Sequence, residues 1–296
     1  MRKAGIIRAL CMLVCALGLQ GVAGAFTVQD PSTDFAFLEF EPYSSFGGDR
    51  FSGPARAENP DMRLWRIAGQ LSFPAGKVRN HQFFGSFKST IMDQDIIYND
   101  TLRLNDGKLK RFWVSGGDSW KGANGQSSMV VVGVGINSDF SDVGPKDYNT
   151  EWIYSHFWTP SPVFNWGLGL DIQQYFGKFE PYPLIFAEWM AGDHTKLKWD
   201  ADYLEMRRFL NPWLCFTAGV RFNLEFFALK NDADFEYNSM GLETGFQYAV
   251  GANCYVRIKY KELVWGRQTL GLPDGSHHTE GIDAGRSLRL NFAYGL

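Results

Sequence analysis

Cysteine is scarce in this chain. Only 4 of its 296 residues are Cys, and only Cys215 and Cys254 lie beyond residue 25. Two cysteines cannot build a disulfide framework, and their opposite-facing positions on predicted strands read as free thiols. Long apolar runs are missing as well. Past residue 25 nothing approaches the about 20 apolar residues that a membrane-crossing helix needs. No 3.6-residue periodicity of comparable length takes their place, which argues against a helical bundle. Positive charge is not in excess: 29 Lys and Arg stand against 32 Asp and Glu, a net of −3. Nucleic acid is therefore not an expected partner.

The amino terminus contributes to that balance in a particular way. The stretch MRKAGIIRALCMLVCALGLQGVAGA carries Arg2, Lys3 and Arg8, then an apolar run, then Ala23-Gly24-Ala25. This is the layout of a secretory signal peptide over residues 1–25, and it predicts a mature chain beginning at Phe26. The run from Ala9 to Leu19 is too short to span a bilayer. Val14 occupies the place where a small residue would precede a lipidated Cys15, so a lipoprotein is the lesser reading. Cleavage would leave 26 basic against 32 acidic residues, a net of −6.

What is present is alternation. In SLRLNFAYGL, Leu288, Leu290, Phe292, Tyr294 and Leu296 share one side of an extended chain, and Ser287, Arg289, Asn291, Ala293 and Gly295 share the other. Trp213 to Phe226 repeats the pattern. Leu214, Phe216, Ala218, Val220, Phe222, Leu224 and Phe226 lie opposite Thr217, Gly219, Arg221, Asn223 and Glu225. Aromatics make up 16% of the chain and glycines number 32, yet the mean hydropathy is only −0.22. A wall with lipid on one face and water on the other produces that combination.

The alternating stretches predict an all-β, antiparallel transmembrane barrel over residues 63–296. Its strands are RLWRIAGQLSF from Arg63, then Gln82–Ile91, Ile96–Leu104, Leu109–Ser115, Ser128–Ile136, Glu151–Trp158, Phe164–Phe176, Tyr182–Met190, Lys196–Ala201, Tyr203–Phe209, Trp213–Phe226, Met240–Val250, Cys254–Val264 and Ser287–Leu296. That is 14 strands, or 12 if Leu109–Ser115 and Tyr203–Phe209 fail. Residues 26–62 read as an irregular periplasmic lead-in. A further stretch, Phe35–Glu41, is excluded because a fifteenth strand would put the amino terminus on the wrong side. With a periplasmic carboxyl terminus, Asn137–Asn149, Lys230–Asn238 and Gly266–Gly285 fall outside. The turns at Thr159–Pro162, Gly192-Asp193, Asn211-Pro212 and Gly251–Asn253 fall inside. Trp65, Trp152, Trp158, Trp213, Trp265 and Tyr294 lie near strand ends, where interfacial girdles form.

The closing stretch, with an aromatic third from its end and an apolar final residue, resembles the last strand of a bacterial outer-membrane barrel. The block from Asn165 to Phe226 carries GLGL, FGK, PLIFAEW, LNPWL and AGVRF. It resembles an uncharacterised, porin-like family of bacterial outer-membrane β-barrels. The resemblance implies a fold and a Gram-negative outer-membrane location, and it carries over no functional residue. It also implies outer-membrane lipid and the barrel-assembly machinery as partners, the latter through the carboxyl-terminal strand.

Chemistry-bearing residues are few. Gly133-Val134-Gly135 and Gly167-Leu168-Gly169 sit inside alternating strands and lack the following helix a dinucleotide fingerprint needs. The inner-face candidates are Arg221, Glu225, Glu243, Arg257, Lys259, Lys261 and Arg289, with Lys196, Lys198 and Asp200 in the same pool. Simple register about the Gly251–Asn253 turn sets Glu243 opposite Lys261 and Gln247 opposite Arg257. Such residues serve as charge ladders that hold the wall or as a constriction that sets ion preference. None of His81, His156, His194, His277 and His278 has a serine two positions on, and His156 shares its face with Trp152, Tyr154 and Trp158. No enzyme, cofactor or metal is expected, although a lipid-modifying enzyme stays open as an alternative. The sequence points to a porin-like passive channel for small solutes. A sealed structural or surface-recognition barrel is the other reading.

Overall fold

The computed structural model describes residues 34–47, 65–93, 97–99, 102–103, 108–141, 143–176, 178–229, 232–251, 254–282 and 284–295. The expected signal peptide and much of the expected lead-in lie outside these residues. Strands follow one another in chain order: β1 (Asp34–Gly47), β2 (Trp65–Val78), β3 (His81–Asp93), β4 (Ile97–Asn99), β5 (Leu102–Arg103) and β6 (Lys108–Lys121). Next come β7 (Gln126–Ser138), β8 (Tyr148–Ser161), β9 (Phe164–Tyr175), β10 (Lys178–Met190), β11 (Thr195–Asp200) and β12 (Tyr203–Asn211). The last are β13 (Leu214–Ala228), β14 (Asp234–Ala249), β15 (Cys254–Gly271), β16 (His277–Ile282) and β17 (Ala284–Gly295). A 3₁₀ turn lies at Pro145–Asp147.

Fourteen of these strands close into an antiparallel barrel. Neighbours in sequence pair around the wall, β14 pairs with β15, β15 with β17, and β17 with β1. Closure gives every wall strand a neighbour on each side along at least part of its length, which is how a sheet satisfies its backbone within hydrocarbon. β4 and β5 form a separate small hairpin, and β16 extends the β15 hairpin beyond the wall.

The count of 14 agrees with the sequence, but its membership does not. Phe35–Glu41, excluded on parity, is the core of β1 and forms the seam, with Leu38 opposite Phe292 on β17 and opposite Gly69 on β2. Ile96–Leu104, counted as a wall strand, holds only the short β4–β5 hairpin. The two exchanges cancel in number. The weakest stretches are both real, as parts of β6 and β12.

Side-chain burial is inverted relative to a protein dissolved in water. Lys196, Lys198, Glu205, Arg207, Glu225, Glu243, Lys259, Lys261 and Arg289 are buried, while Val132, Leu168, Leu204, Phe246, Ile258 and Leu288 are exposed. Charged residues are almost never buried in a water-soluble core, and apolar surface that encircles a molecule demands an apolar solvent. Exposed Trp166, Trp189, Trp213 and Tyr248 mark the barrel end that carries both termini, and Tyr148 and Trp265 lie toward the other end. The ring of Trp158 stacks on Trp166 at 4.4 Å. These two belts fit the bilayer's interfaces.

The wall is low at one place. β10 pairs with β11 only from Phe186 to Met190, and β13 pairs with β12 only from Leu214 to Arg221. Above the Ala201–Asp202 turn, β10 and β13 have no wall strand between them. The sequence prepares that edge. Ile185 offers its carbonyl to Ala201 N on the β11 side, and the alternation of a strand turns Pro181 and Pro183 the same way. Both prolines lack an N–H where no strand stands to accept one, the edge position that proline tolerates.

At the end remote from the termini, the barrel is pinched. Ala228 of β13 pairs in parallel with Ser138 of β7, nearly opposite in the ring of strands. Beneath the bridge, Trp113, Tyr175 and Phe226 pack together, with Phe226 and Tyr175 centred 4.4 Å apart. Met92, Leu109, Phe227, Leu229, Phe235, Leu263 and Leu270 belong to a second buried apolar cluster. The mouth is closed with apolar side chains, while the middle of the lumen is charged.

Candidate functional site

The lumen's polarity follows from strand alternation. On β14 and β17, on β13 as far as Glu225 and on β15 below its bulge at Val264, the odd-numbered residues turn inward, which brings together all seven sequence-predicted positions. Arg221 and Glu225 come from β13, Glu243 from β14, Arg257, Lys259 and Lys261 from β15, and Arg289 from β17. The β14–β15 register agrees with the sequence reading: Glu243 stands opposite Lys261, and Gln247 opposite Arg257. Glycine makes room for the charges. A Cβ at Gly245 would lie 2.1 Å from Ile258 O and 2.7 Å from Lys259 Cα, so only glycine lets β14 and β15 lie this close there.

The ion pairs run diagonally and across the lumen. Glu243 faces Arg289 Nη1 at 3.0 Å, Arg221 Nε at 3.2 Å and Lys259 Nζ at 3.8 Å. Glu205 holds Lys259 Nζ at 2.9 Å and Arg207 at 2.5 Å, and it accepts from the Tyr203 hydroxyl at 2.9 Å. Lys259 also donates to Tyr203 Oη at 2.6 Å, and the Arg221 guanidinium lies 4.4 Å from the centre of the same ring. Glu39 on the seam strand meets Arg66 at 3.4 Å and Arg289 Nε at 3.5 Å. Arg66 reaches across to Glu225 at 3.4 Å. Arg257 donates to two neutral amides, Gln247 Oε1 at 2.9 Å and Asn291 Oδ1 at 3.2 Å.

Burial raises the stakes of each contact. A charge taken from water is tolerated only when paired, and pairing across strands ties distant parts of the wall together. Glu39, Arg221, Arg257, Lys259, Arg289 and Asn291 surround a recess of about 40 Å³. Its scale suits a few waters or one small ligand group.

Glu39, Glu205, Arg207 and Tyr203 were not among the sequence candidates. The signal for three of them was present, because Tyr203, Glu205 and Arg207 alternate with Leu204 and Met206. Lys196 and Lys198 lie buried on β11, with Lys196 at 2.5 Å from Glu188 and Lys198 at 2.8 Å from Asp200. Both glycine pairs, Gly133/Gly135 and Gly167/Gly169, fall within strands β7 and β9.

The histidines divide by place. His156 lies on the outer face, edge-on to Trp158 at 4.4 Å, and its Nδ1 is 2.7 Å from Ser128 Oγ on the neighbouring strand. The serine missing at two residues' spacing is thus supplied from β7. Ser128 is buried, and no carboxylate among the described residues pairs with His156. The pair has two members of a nucleophile–base–orienter set and lacks the third. His81 Nδ1 lies 2.7 Å from Asp118 Oδ2 near the terminal end of the wall. Among the described residues no group of three or more His, Cys, Asp or Glu could hold a metal. Among the described residues neither Cys215 nor Cys254 takes part in a disulfide.

No protein-family model and no curated protein matches the chain. Solved structures with a similar outline include the NanC porin, at 9% identity over 88% of this chain and all of that one, with a TM-score of 0.40. The COG4313 outer membrane channel from Pseudomonas putida F1 is 7% identical over 94% of this chain and all of that one, with a TM-score of 0.45. The P. putida toluene transporter TodX is 7% identical over 90% of this chain and 91% of that one, with a TM-score of 0.41. At these values none of the superpositions carries a solute or a residue role to this chain.

Proposed function

We propose that the chain is an outer-membrane β-barrel of a Gram-negative bacterium, exported by a cleaved leader, whose lumen is a passive, porin-like route for small solutes. The observation that carries this reading is the inner face. Charged and amide side chains from β1, β2, β12, β13, β14, β15 and β17 meet inside a closed wall that is apolar outside. Water-filled transmembrane barrels are built this way. Insertion would use outer-membrane lipid and the barrel-assembly machinery as partners, with β17 closing the seam against β1.

A second reading has its own support. The Ala228–Ser138 bridge and the aromatic cluster beneath it shut the mouth, as a sealed structural or recognition barrel would require. On the channel reading, this closure is one state of a gate. Planar-bilayer recording of the refolded, full-length mature protein separates the two. Discrete conductance steps are expected for the route, and silence at every voltage would establish the sealed barrel instead.

A further inference from the structure

The recess in the lumen is unevenly charged. Of the six residues around it, four are cations (Arg221, Arg257, Lys259 and Arg289), one is a carboxylate (Glu39) and one is an amide (Asn291). The carboxylates behind the cations are shared: Glu243 serves Arg221, Arg289 and Lys259, and Glu205 serves Lys259 and Arg207. Arg289 and Lys259 are buried, at 2% and 7% exposure, so solvent screens them little. Their donors are held in place by these contacts, and the amides of Gln247 and Asn291 likewise fix the Arg257 guanidinium. Fixed donors around a small space, with positive charge in surplus, bind an anion without reorganising.

We propose that this recess binds an oxyanion group, the carboxylate or sulfate of a small acidic solute, and gives the lumen its preference; the solute's passage rests on the channel reading, but the binding does not. Forked guanidinium donors suit a planar carboxylate, and Lys259 adds a point charge. A neutral solute gains none of these contacts. A cation meets four like charges and one carboxylate.

The test is equilibrium binding of radiolabelled sulfate and of citrate to the refolded full-length mature barrel in zwitterionic detergent at low ionic strength. The comparison variants are Arg257→Gln and Arg221→Gln, each shown to be folded by its heat-shifted electrophoretic mobility. Arg257 is the first choice because it lines the recess and two of its partners, the Gln247 and Asn291 amides, are neutral. The expected result is saturable binding at one site per chain, weakened about tenfold in either variant and competed away by added salt, as the loss of one charge-assisted contact predicts. No saturable binding, or binding equal in parent and variants, overturns the recess. Bilayer recording of the same preparation reports on the route separately. A silent barrel that still binds sulfate overturns the route and keeps the site, and a conducting barrel that binds none does the reverse.

Discussion

Replacing Glu243 by glutamine is the sharpest test of how this barrel is held. The residue is 1% exposed and faces three cations at 3.0, 3.2 and 3.8 Å. At an effective dielectric of about 20, each such contact contributes on the order of 4–6 kcal/mol of Coulomb energy, against a desolvation cost of several kcal/mol for the carboxylate. Glutamine keeps the shape and one acceptor, so no cavity forms, but Arg221, Arg289 and Lys259 lose their shared counter-charge. Breaking a buried pair from one side costs about 3–5 kcal/mol, and that is the expected loss for E243Q. With a slope of roughly 2 kcal/mol per molar urea, the unfolding midpoint falls by about 2 M, read by tryptophan fluorescence of the barrel in micelles. The double variant E243Q/R289Q removes one of the stranded cations and should regain more than about 1 kcal/mol, a coupling that independent sites do not show. A variant E243Q within about 0.5 kcal/mol of the parent, or strict additivity in the cycle, would refute the view that this carboxylate anchors the lumen.

Further outcomes follow from particular residues. Ile258 points outward at 51% exposure between Phe246 and Leu290, so Ile258→Arg should cost about 2–4 kcal/mol in liposomes, and free tolerance of it would mean that hydrocarbon does not cover this face. Gly245→Ala should destabilise by about 1–3 kcal/mol through its clash with the β15 backbone. Gly251→Ala, whose added carbon would meet nothing nearer than 3.8 Å, serves as its neutral control in the same urea titration. Phe226→Ala removes the ring that meets Tyr175 beneath the pinched mouth, and the conductance of the variant should exceed the parent's; equal values would disconnect that ring from closure. Asp274 is held below the usual carboxylate range by the Ser276 hydroxyl and N–H, so its turn keeps those bonds down through the ordinary aspartate titration and loses them only at lower pH. Hydrogen exchange at Ser276 N–H measured against pH checks that order.

The fold was legible because alternation is a local property. Trp213 to Glu225 announces its two faces without reference to any partner, whereas Phe226, expected on the outer face, is buried against Trp113 and Tyr175; the short turn after Ala249 makes the β14–β15 register a local matter too. Membership in the wall was less legible. Phe35–Glu41 and Ile96–Leu104 both alternate, and parity limits only the number of strands, so it could not tell which of the two belonged. Losing β1 also hid Glu39, whose partners Arg66 and Arg289 are far away in the chain. The ion pairs were illegible for the same reason. Register places Glu243 opposite Lys261, but Glu243's closest cationic contacts come from β13 and β17, and Lys259 reaches back 54 residues to Glu205. Charge partners in a lumen are chosen by curvature, which no single strand encodes.

The low stretch of wall at β11 and β12 changes what the clamp between Ala228 and Ser138 can accomplish. A vessel whose lid is fastened at the rim still has one short stave, and here the sill of that stave is the turn at Ala201 and Asp202. From the two flanks of that sill Phe226 of β13 and Tyr175 of β9 lean together, so a single aromatic contact serves both the short stave and the lid.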